Sequence, residues 1–562
     1  MFAGVPVDPR AGVGHDRKMV ALRGMTDAVR VAASGVRGAT STGLFKPANP
    51  MVAAQVARDL RKWGTTPAIG YCIGAARSPE DLAIIDVDDP LHPEVTFAEV
   101  EHRCDALAKG LVDRGLGQSD TVAILARNSR AFAEVIVATS RIGADLVYLN
   151  TGASAEQISM VLRNERVDLV VRDSEFAHLC PPGMSWLGTD DPAGVSLLDS
   201  LPSRGGIDKP ERAGQHIILT ATSGSVPRGT ARASLPMDAL AAVLATFPVR
   251  LGDTHLIAAP LFHAWGWMNH RLAGSIGATE IFVRRNDPER LLALVQAHEV
   301  DTLVTVPTVL AKIMALPPTV RDQYDTSSLR CVMVSGSELP GELAWDFMDV
   351  FGDVLYNLYG TTEAAFATVA EPEDLRDDPN TAGGPLAGVK VEIFDRRGKP
   401  VPRGEVGRVH VLSRTSFEGY TDGTDRERVR GMVFTGDLGW LDEKGRLSLI
   451  GRADDVIVTG GEKVHPVEVE SVLASHPAIA DVAVVGVADN VYGAMVEAYV
   501  VLDDEATEAD LDDVRALART RLGPRHRPRT YVVVDALPRS ESGKLRRRAL
   551  VDPETGDDPE WL

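Results

Sequence analysis

The chain is poor in cysteine, short of positive charge and without long apolar runs. Its four cysteines, Cys72, Cys104, Cys180 and Cys331, form no C-x-x-C pair. A disulfide framework or a zinc site is therefore not expected, and the chain suits a reducing cytoplasm. Lys and Arg number 59 against 79 Asp and Glu, a formal net charge of -20. That balance argues against nucleic acid as a partner, because phosphate backbones need clustered cations. An anionic nucleotide would need local devices instead: backbone N–H groups, one or two cations and a metal ion. No uninterrupted apolar stretch reaches the roughly 20 residues of a transmembrane helix. The N-terminus lacks the charged-then-apolar order of a signal peptide, and no internal repeat is seen.

What is present is an ordinary globular composition, 44% hydrophobic and 25% charged, over 562 residues. That length exceeds one compact core and predicts at least two domains. Residues 1–50 read as an N-terminal extension. Within it, Met19 to Val36 is rich in Ala, Val and Met, with Lys18, Arg23, Arg30 and Arg37 in or beside it. It reads either as a basic amphipathic helix in peripheral contact with a membrane or as a helix packed on the main domain. The second is preferred, since Gly35 and Gly38 end the pattern early.

From Pro93 onward helical and strand-like patterns alternate. Phe97 to Asp113 reads as a helix with Val100, Cys104, Leu107, Ala108 and Leu111 on one face. Thr121 to Leu125 reads as a buried strand, Ala131 to Ile142 as a helix and Asp145 to Leu149 as a strand. Leu303 to Val306 and Cys331 to Val334 continue the series. Such alternation implies a parallel sheet with covering helices. Gly388 to Phe394 and Gly407 to Leu412 read as antiparallel β. The expected boundary lies near Asp454, giving a main domain over 51–453 and a small α+β domain over 454–562.

Several segments carry chemistry. His216 to Thr230, HIILTATSGSVPRGT, is a strand ending in a Thr, Ser and Gly run, which presents N–H and hydroxyl groups to phosphates. Taken alone it also reads as an ordinary Ser/Thr turn. Pro260 to Trp267 is PLFHAWGW, Ser335 to Pro340 is SGSELP, and Tyr359 to Glu363 is YGTTE. Phe434 to Trp440 is FTGDLGW, with an Asp in what reads as a short Gly-flanked turn. Gly451 to Glu470 is GRADDVIVTGGEKVHPVEVE, and Leu537 to Arg548 is LPRSESGKLRRR. Each has a bland reading as a turn, a core His or a solvated basic face; their order and spacing along the chain weigh against that.

Together these segments resemble the motifs of the adenylate-forming superfamily, which holds acyl-CoA synthetases, peptide-synthetase adenylation domains and luciferases. The resemblance extends from about Thr96 to Leu550. It implies an α/β fold: a large N-terminal domain of two packed α/β sheets plus a small β-barrel-like part, and a small mobile C-terminal α+β domain. It places the phosphate loop at Thr222, Ser223, Gly224, Ser225, Arg228 and Gly229, where the family's usual loop pattern is altered and Arg228 replaces a Lys. Ser335, Gly336 and Ser337 become the adenine-binding turn. Tyr359, with Gly360 and Thr361, offers a ring to adenine. Thr362 offers a hydroxyl to the α-phosphate or the acyl carboxylate, and Glu363 an oxygen to Mg²⁺. His263 lies between acyl pocket and nucleotide, and Trp265 or Trp267 gates the pocket or simply packs in the core. No Asp stands between Pro260 and Trp267 to meet a substrate ammonium, which disfavours an amino acid.

By the same resemblance Asp437 meets the ribose hydroxyls, Arg452 closes on the same ribose or its phosphate, and Asp454 is the hinge. Gly460 and Gly461 line the path of a pantetheine arm. Lys544 is the adenylation cation. The implied activity uses ATP, Mg²⁺ and CoA to convert a carboxylic acid to acyl-AMP and then acyl-CoA. A medium- or long-chain fatty acid is the expected acid, since NLYGTTEAAFATVA and the N-terminal extension look most like actinobacterial fatty-acid–CoA ligases. Alternatives are an aryl or other carboxylate–CoA ligase, or a fatty-acyl-AMP ligase that serves a carrier protein. A non-catalytic binder is disfavoured, because it needs none of Glu363, Asp437, Arg452 and Lys544 together.

Overall fold

The computed structural model describes residues 40, 42–43, 49–190, 207–220, 227–232, 236–459, 462–489, 492–503, 506–540 and 543–551. The expectation for Met19 to Val36 lies outside these residues. Two sheets carry the bulk of the fold. One has six strands in the order Trp186–Gly188, Leu169–Arg172, Thr121–Leu125, Asp145–Tyr148, His216–Thr220 and Arg228–Arg232, parallel except for the last. The other runs parallel through Leu82–Asp86, Thr279–Phe282, Thr254–Ile257, Thr302–Thr305, Cys331–Val334 and Leu355–Thr361. Central strands such as TVAIL, TLVT and CVMV are buried at every position, as parallel strands covered on both faces must be.

The helix Arg130–Ile142 is buried along its whole length. Ser129 caps its start by accepting from the Phe132 N–H, and Gly143 ends it in the left-handed conformation at φ +74. Burial forces its two arginines to find carboxylates. Arg130 Nη1 meets both oxygens of Glu134 at 2.8 and 2.9 Å, and Arg141 Nη1 meets Asp105 at 2.7 Å. The neighbouring helix Phe97–Asp113 starts at a reciprocal capping box between Thr96 and Glu99.

The expected barrel-like part is continuous with the second sheet rather than detached. Ala365–Ala370 and Thr381–Pro385 carry the hydrogen-bonded path onward to Leu447–Arg452, Met432–Leu441, Gly407–Leu412 and Lys390–Phe394, all antiparallel. It still has a small core of its own around Ile393, Val409 and Val411. FTGD is also corrected: it is no turn but the middle of the ten-residue strand Met432–Leu441. A register shift at Leu438/Gly439 accommodates the glycine that had suggested a turn.

After Ala453 the chain builds a separate three-stranded sheet from Ile479–Asp489, Gly493–Leu502 and Thr530–Val533. The helices Pro466–Ala474 and Leu511–Arg521 cover it. The core cluster of this small α+β domain contains no residue before Ile457. Among the described residues, no helix is long and apolar enough to cross a membrane.

Candidate active site

One wall of the cleft between the two domains grows from a pair of adjacent strands. Asp437 lies directly opposite Arg452. Arg452 Nη1 donates to Asp437 Oδ1 at 3.1 Å and to the Thr435 carbonyl at 3.2 Å. The other oxygen, Asp437 Oδ2, accepts from the Tyr359 hydroxyl at 2.6 Å. Asp437 is 8% exposed, so this carboxylate is fixed, yet each oxygen keeps a lone pair for another donor. Gly436 is needed beside it: its φ is +90, and a Cβ there would lie 2.6 Å from Arg452 Nη2. Tyr359, whose ring the sequence offers to adenine, thus also braces the carboxylate expected at the ribose. Burial and then Asp437 push its phenol well above the usual range.

The YGTTE segment forms the tip of a hairpin. Thr361 pairs with Ala365, and a Cβ on Gly360 would sit 2.1 Å from the Ala365 carbonyl. Ala365 itself is held at φ +58, an uncommon conformation for alanine of the sort that gathers at functional turns. Thr361 Oγ1 accepts from the Ala364 N–H at 3.0 Å. Glu363 is buried at the tip. Its Oε1 accepts from the Tyr420 hydroxyl at 2.6 Å and from Arg426 Nε and Nη2, each at 3.4 Å. None of these bonds lands on Oε2. A magnesium ion is bound through one or two carboxylates plus substrate phosphates, and Glu363 with one oxygen left over fits that role. Among the described residues no cluster of three or more His, Cys, Asp or Glu offers a dedicated metal cage. Sequence reasoning missed Tyr420 and Arg426, since neither falls in a segment singled out for chemistry.

Arg228, in the altered phosphate loop, has its guanidinium 4.1 Å from the centre of the Tyr420 ring. Its Nη1 donates to Thr424 Oγ1 at 3.4 Å. Gly229 follows in the same strand, packed so that a Cβ would meet Ile217 Cγ2 at 2.5 Å. Thr222, Ser223, Gly224 and Ser225 lie outside the described residues, as do Gly460 and Gly461. Ser335 is buried at the end of the strand Cys331–Val334, with Gly336 at φ +96 and Ser337 following. The next residue, Glu338, faces the small domain: burial, then the Glu470 carboxylate, raise its carboxyl, and Arg547 opposes them.

His263 precedes the helix Ala264–Ser275, and its Nε2 is buried without a partner among the described residues. Burial, helped by the Lys544 cation, pushes its imidazole down to about 4, so it is neutral at physiological pH. Trp265 donates from Nε1 to the Thr305 carbonyl at 2.9 Å, which pins its ring as a wall. Behind it is a small apolar cavity lined by Leu240, Val243, Phe247, Met268 and Phe366, among others. Trp267 points elsewhere, packing 5.7 Å from His216 in the core.

The small domain supplies Lys544 from a tight loop. Ser540 N–H donates to the Lys544 carbonyl at 2.8 Å and Gly543 N–H to the Ser540 carbonyl at 2.7 Å. Gly543 has φ +78, and a Cβ there would lie 2.5 Å from Thr308 Oγ1 in the large domain's helix Pro307–Met314. Burial and then Arg452 lower the Lys544 ammonium, while Asp437, Asp455 and Glu363 oppose them. Lys544 still keeps over a third of its surface accessible in the open cleft, so solvent screens part of this effect. The structure therefore brings His263, Glu363, Asp437, Arg452 and Lys544 to one cleft. Asp454 is exposed in the turn just after Arg452.

A buried Asp–Arg pair, a buried carboxylate with one oxygen unbonded and a lysine delivered by a second domain thus meet in one cleft. The chain belongs to the AMP-binding enzyme family: that model matches residues 74–421, and the AMP-binding enzyme C-terminal domain matches 468–544. It is 28% identical to the fatty acid–[acyl-carrier-protein] ligase ScoC of Streptomyces coeruleorubidus, covering 82% of this chain and 92% of that protein. It is 30% identical to a feruloyl-CoA synthase of Amycolatopsis, covering 80% and 92%. Among solved structures, the o-succinylbenzoate CoA synthetase MenE of Bacillus subtilis, in complex with its acyl-adenylate intermediate, superposes with a TM-score of 0.73. That match has 27% identity and covers 85% of this chain and 97% of that one.

Proposed function

We propose that this protein is an ATP-dependent acid–thiol ligase that activates a medium- or long-chain fatty acid as its adenylate and transfers the acyl group to CoA. The observation that carries the reading is the convergence of Lys544, Glu363, Asp437 and Arg452 on one cleft, with an apolar cavity behind Trp265. Asp437 accepts the ribose hydroxyls and Arg452 holds Asp437 in place. The neutral His263 and the hydroxyl of Thr362 stand beside the incoming carboxylate. One carboxylate oxygen attacks the α-phosphorus of ATP, the bond to the bridging oxygen breaks, and pyrophosphate leaves. Lys544 offsets the negative charge that builds on the phosphoryl oxygens. Glu363 would help to hold Mg²⁺, which would supply further charge neutralisation. In the second step the small domain, 454–562, turns on the main domain, 51–453, about Asp454. Lys544 withdraws, and the CoA sulfur attacks the acyl carbon with loss of AMP.

The apolar lining beside Trp265 supports an acyl chain over a small polar acid. A carrier-protein thiol is the second reading for the acceptor, favoured by the similarity to ScoC. Mass spectrometry of the products from MgATP, CoA and a mixture of fatty and aromatic acids tests both. Acyl-CoA with AMP supports the ligase, and the acid consumed identifies the substrate class. Acyl-AMP with no acyl-CoA moves the acceptor to a carrier protein. Absence of any adenylate, with nucleotide still bound, would sink the reading.

A further inference from the structure

Arg232 belongs to none of the segments read for chemistry, yet it ends a strand at the edge of the cleft. Its Nη2 donates to the carbonyl of Thr362, the residue just before Glu363. Its Nε is out of solvent and has no hydrogen-bond partner among the described residues. The same side chain lines a second cavity with Ala365 and Phe366. That cavity shares Val243, Met268 and Phe366 with the apolar one behind Trp265. The two hollows thus share a wall; the first is apolar, and the second is lined by the Arg232 side chain.

The carboxylates around Arg232 are already engaged. Glu363 accepts from Tyr420 and Arg426, and Asp238 is paired with Arg414 at 2.8 Å. Burial lowers the Arg232 guanidinium to about 10, against the pull of Glu363, so it keeps its charge at neutral pH. A buried cation with an unpaired N–H is costly unless an acceptor arrives. An acid approaching Glu363 and Asp437 carries the same sign of charge, so a cation beside Thr362 eases its approach.

We infer that Arg232 is a positioning residue for the acid: its guanidinium, on a side chain that lines the cavity with Ala365 and Phe366, attracts the substrate carboxylate and aims it beside Thr362. This rests on the carboxylate-activating reading above. A guanidinium offers directed, charge-assisted hydrogen bonds to a carboxylate and little to a neutral head group of the same size.

The experiment compares acids with their alcohols. Binding of decanoate, decan-1-ol, cinnamate and cinnamyl alcohol is measured by calorimetry, with AMP present, on wild type, R232Q and R232K. Thermal melting checks that each variant is folded. The expected result is that wild type binds at least one acid about tenfold or more tighter than its alcohol. R232Q erases that preference with the alcohol's affinity changed less than about twofold, and R232K restores part of it. No preference in wild type, or a preference kept by R232Q, overturns the inference. So does equal weakening of acid and alcohol, which would mean that Arg232 only props the Thr362 carbonyl. The ligase reading fails separately: an Arg232-dependent preference without any acyl-AMP product would leave this inference standing and remove the other.

Discussion

The two walls of the cleft are built in opposite ways. On the large-domain side the two carboxylates are braced. Asp437 is held by Arg452 and Tyr359, and Glu363 by Tyr420 and Arg426. The backbone glycines leave no room for anything larger at Gly436 or Gly360. On the small-domain side Lys544 stands on a short loop that touches the large domain at Gly543 against Thr308. The first wall is pre-organised, so it costs no reorganisation when charge develops. The second is attached by little, so it can leave. A two-step enzyme needs both properties, one for holding the nucleotide throughout and one for a cation wanted only once.

That contrast breaks most severely at the fixed wall. Asp437→Ala leaves Arg452 and Tyr359 facing an empty site, and truncating a buried charge pair of this kind costs roughly 2–5 kcal/mol. Both half-reactions and AMP affinity should fall by about a hundredfold or more, read by pyrophosphate exchange and by calorimetry with AMP. The movable wall should respond selectively. Gly543→Ala puts a Cβ into Thr308 at a φ that disfavours alanine. Adenylation should fall by about tenfold, equivalent to ~1.4 kcal/mol, while thioester formation from synthetic acyl-AMP stays within about twofold. Equal loss in both assays would erase the distinction between the walls.

A pH profile sharpens the same contrast. The Lys544 ammonium is depressed, so its proton is lost as pH rises through a value below the ~10.4 of free lysine. kcat/KM for adenylation should decline on that alkaline limb, and Lys544→Arg should remove it. The phosphates of bound ATP favour the charged amine, so the limb in kcat should lie at higher pH. The smallest effect is expected at Tyr420→Phe, which removes one 2.6 Å bond to Glu363. A hydrogen bond to a charged group contributes ~1.5–3 kcal/mol, and Arg426 remains to offset part of the loss. A several-fold rise in the magnesium needed for half-maximal exchange, with unchanged binding of metal-free AMP, would fit; no shift would free Glu363 of its supposed dependence on Tyr420.

The regular parts of this fold were legible in the sequence. Phe97–Asp113, Thr121–Leu125, Cys331–Val334 and Gly407–Leu412 match the expected elements residue for residue, because apolar period and cap residues agree there. FTGD was misread because two glycines suggest a turn, whereas this strand uses one for close packing against Arg452 and the other beside a register shift. The local motifs named Asp437, Arg452 and Lys544, and the structure collects them. Arg232, Tyr420 and Arg426 escaped notice because what matters about them is what they touch. A buried guanidinium beside Thr362 and a tyrosine under Arg228 are products of tertiary packing, with no period or spacing to announce them.

The measurement that bears most directly on the two-wall account is Lys544→Ala assayed in separate half-reactions. Acid-dependent ATP–pyrophosphate exchange should fall by about 10²–10³-fold, the scale of one lost transition-state donor. Transfer from synthetic acyl-AMP to CoA should continue at near the wild-type rate. Comparable loss in both half-reactions would contradict the claim that Lys544 serves the first step and then withdraws.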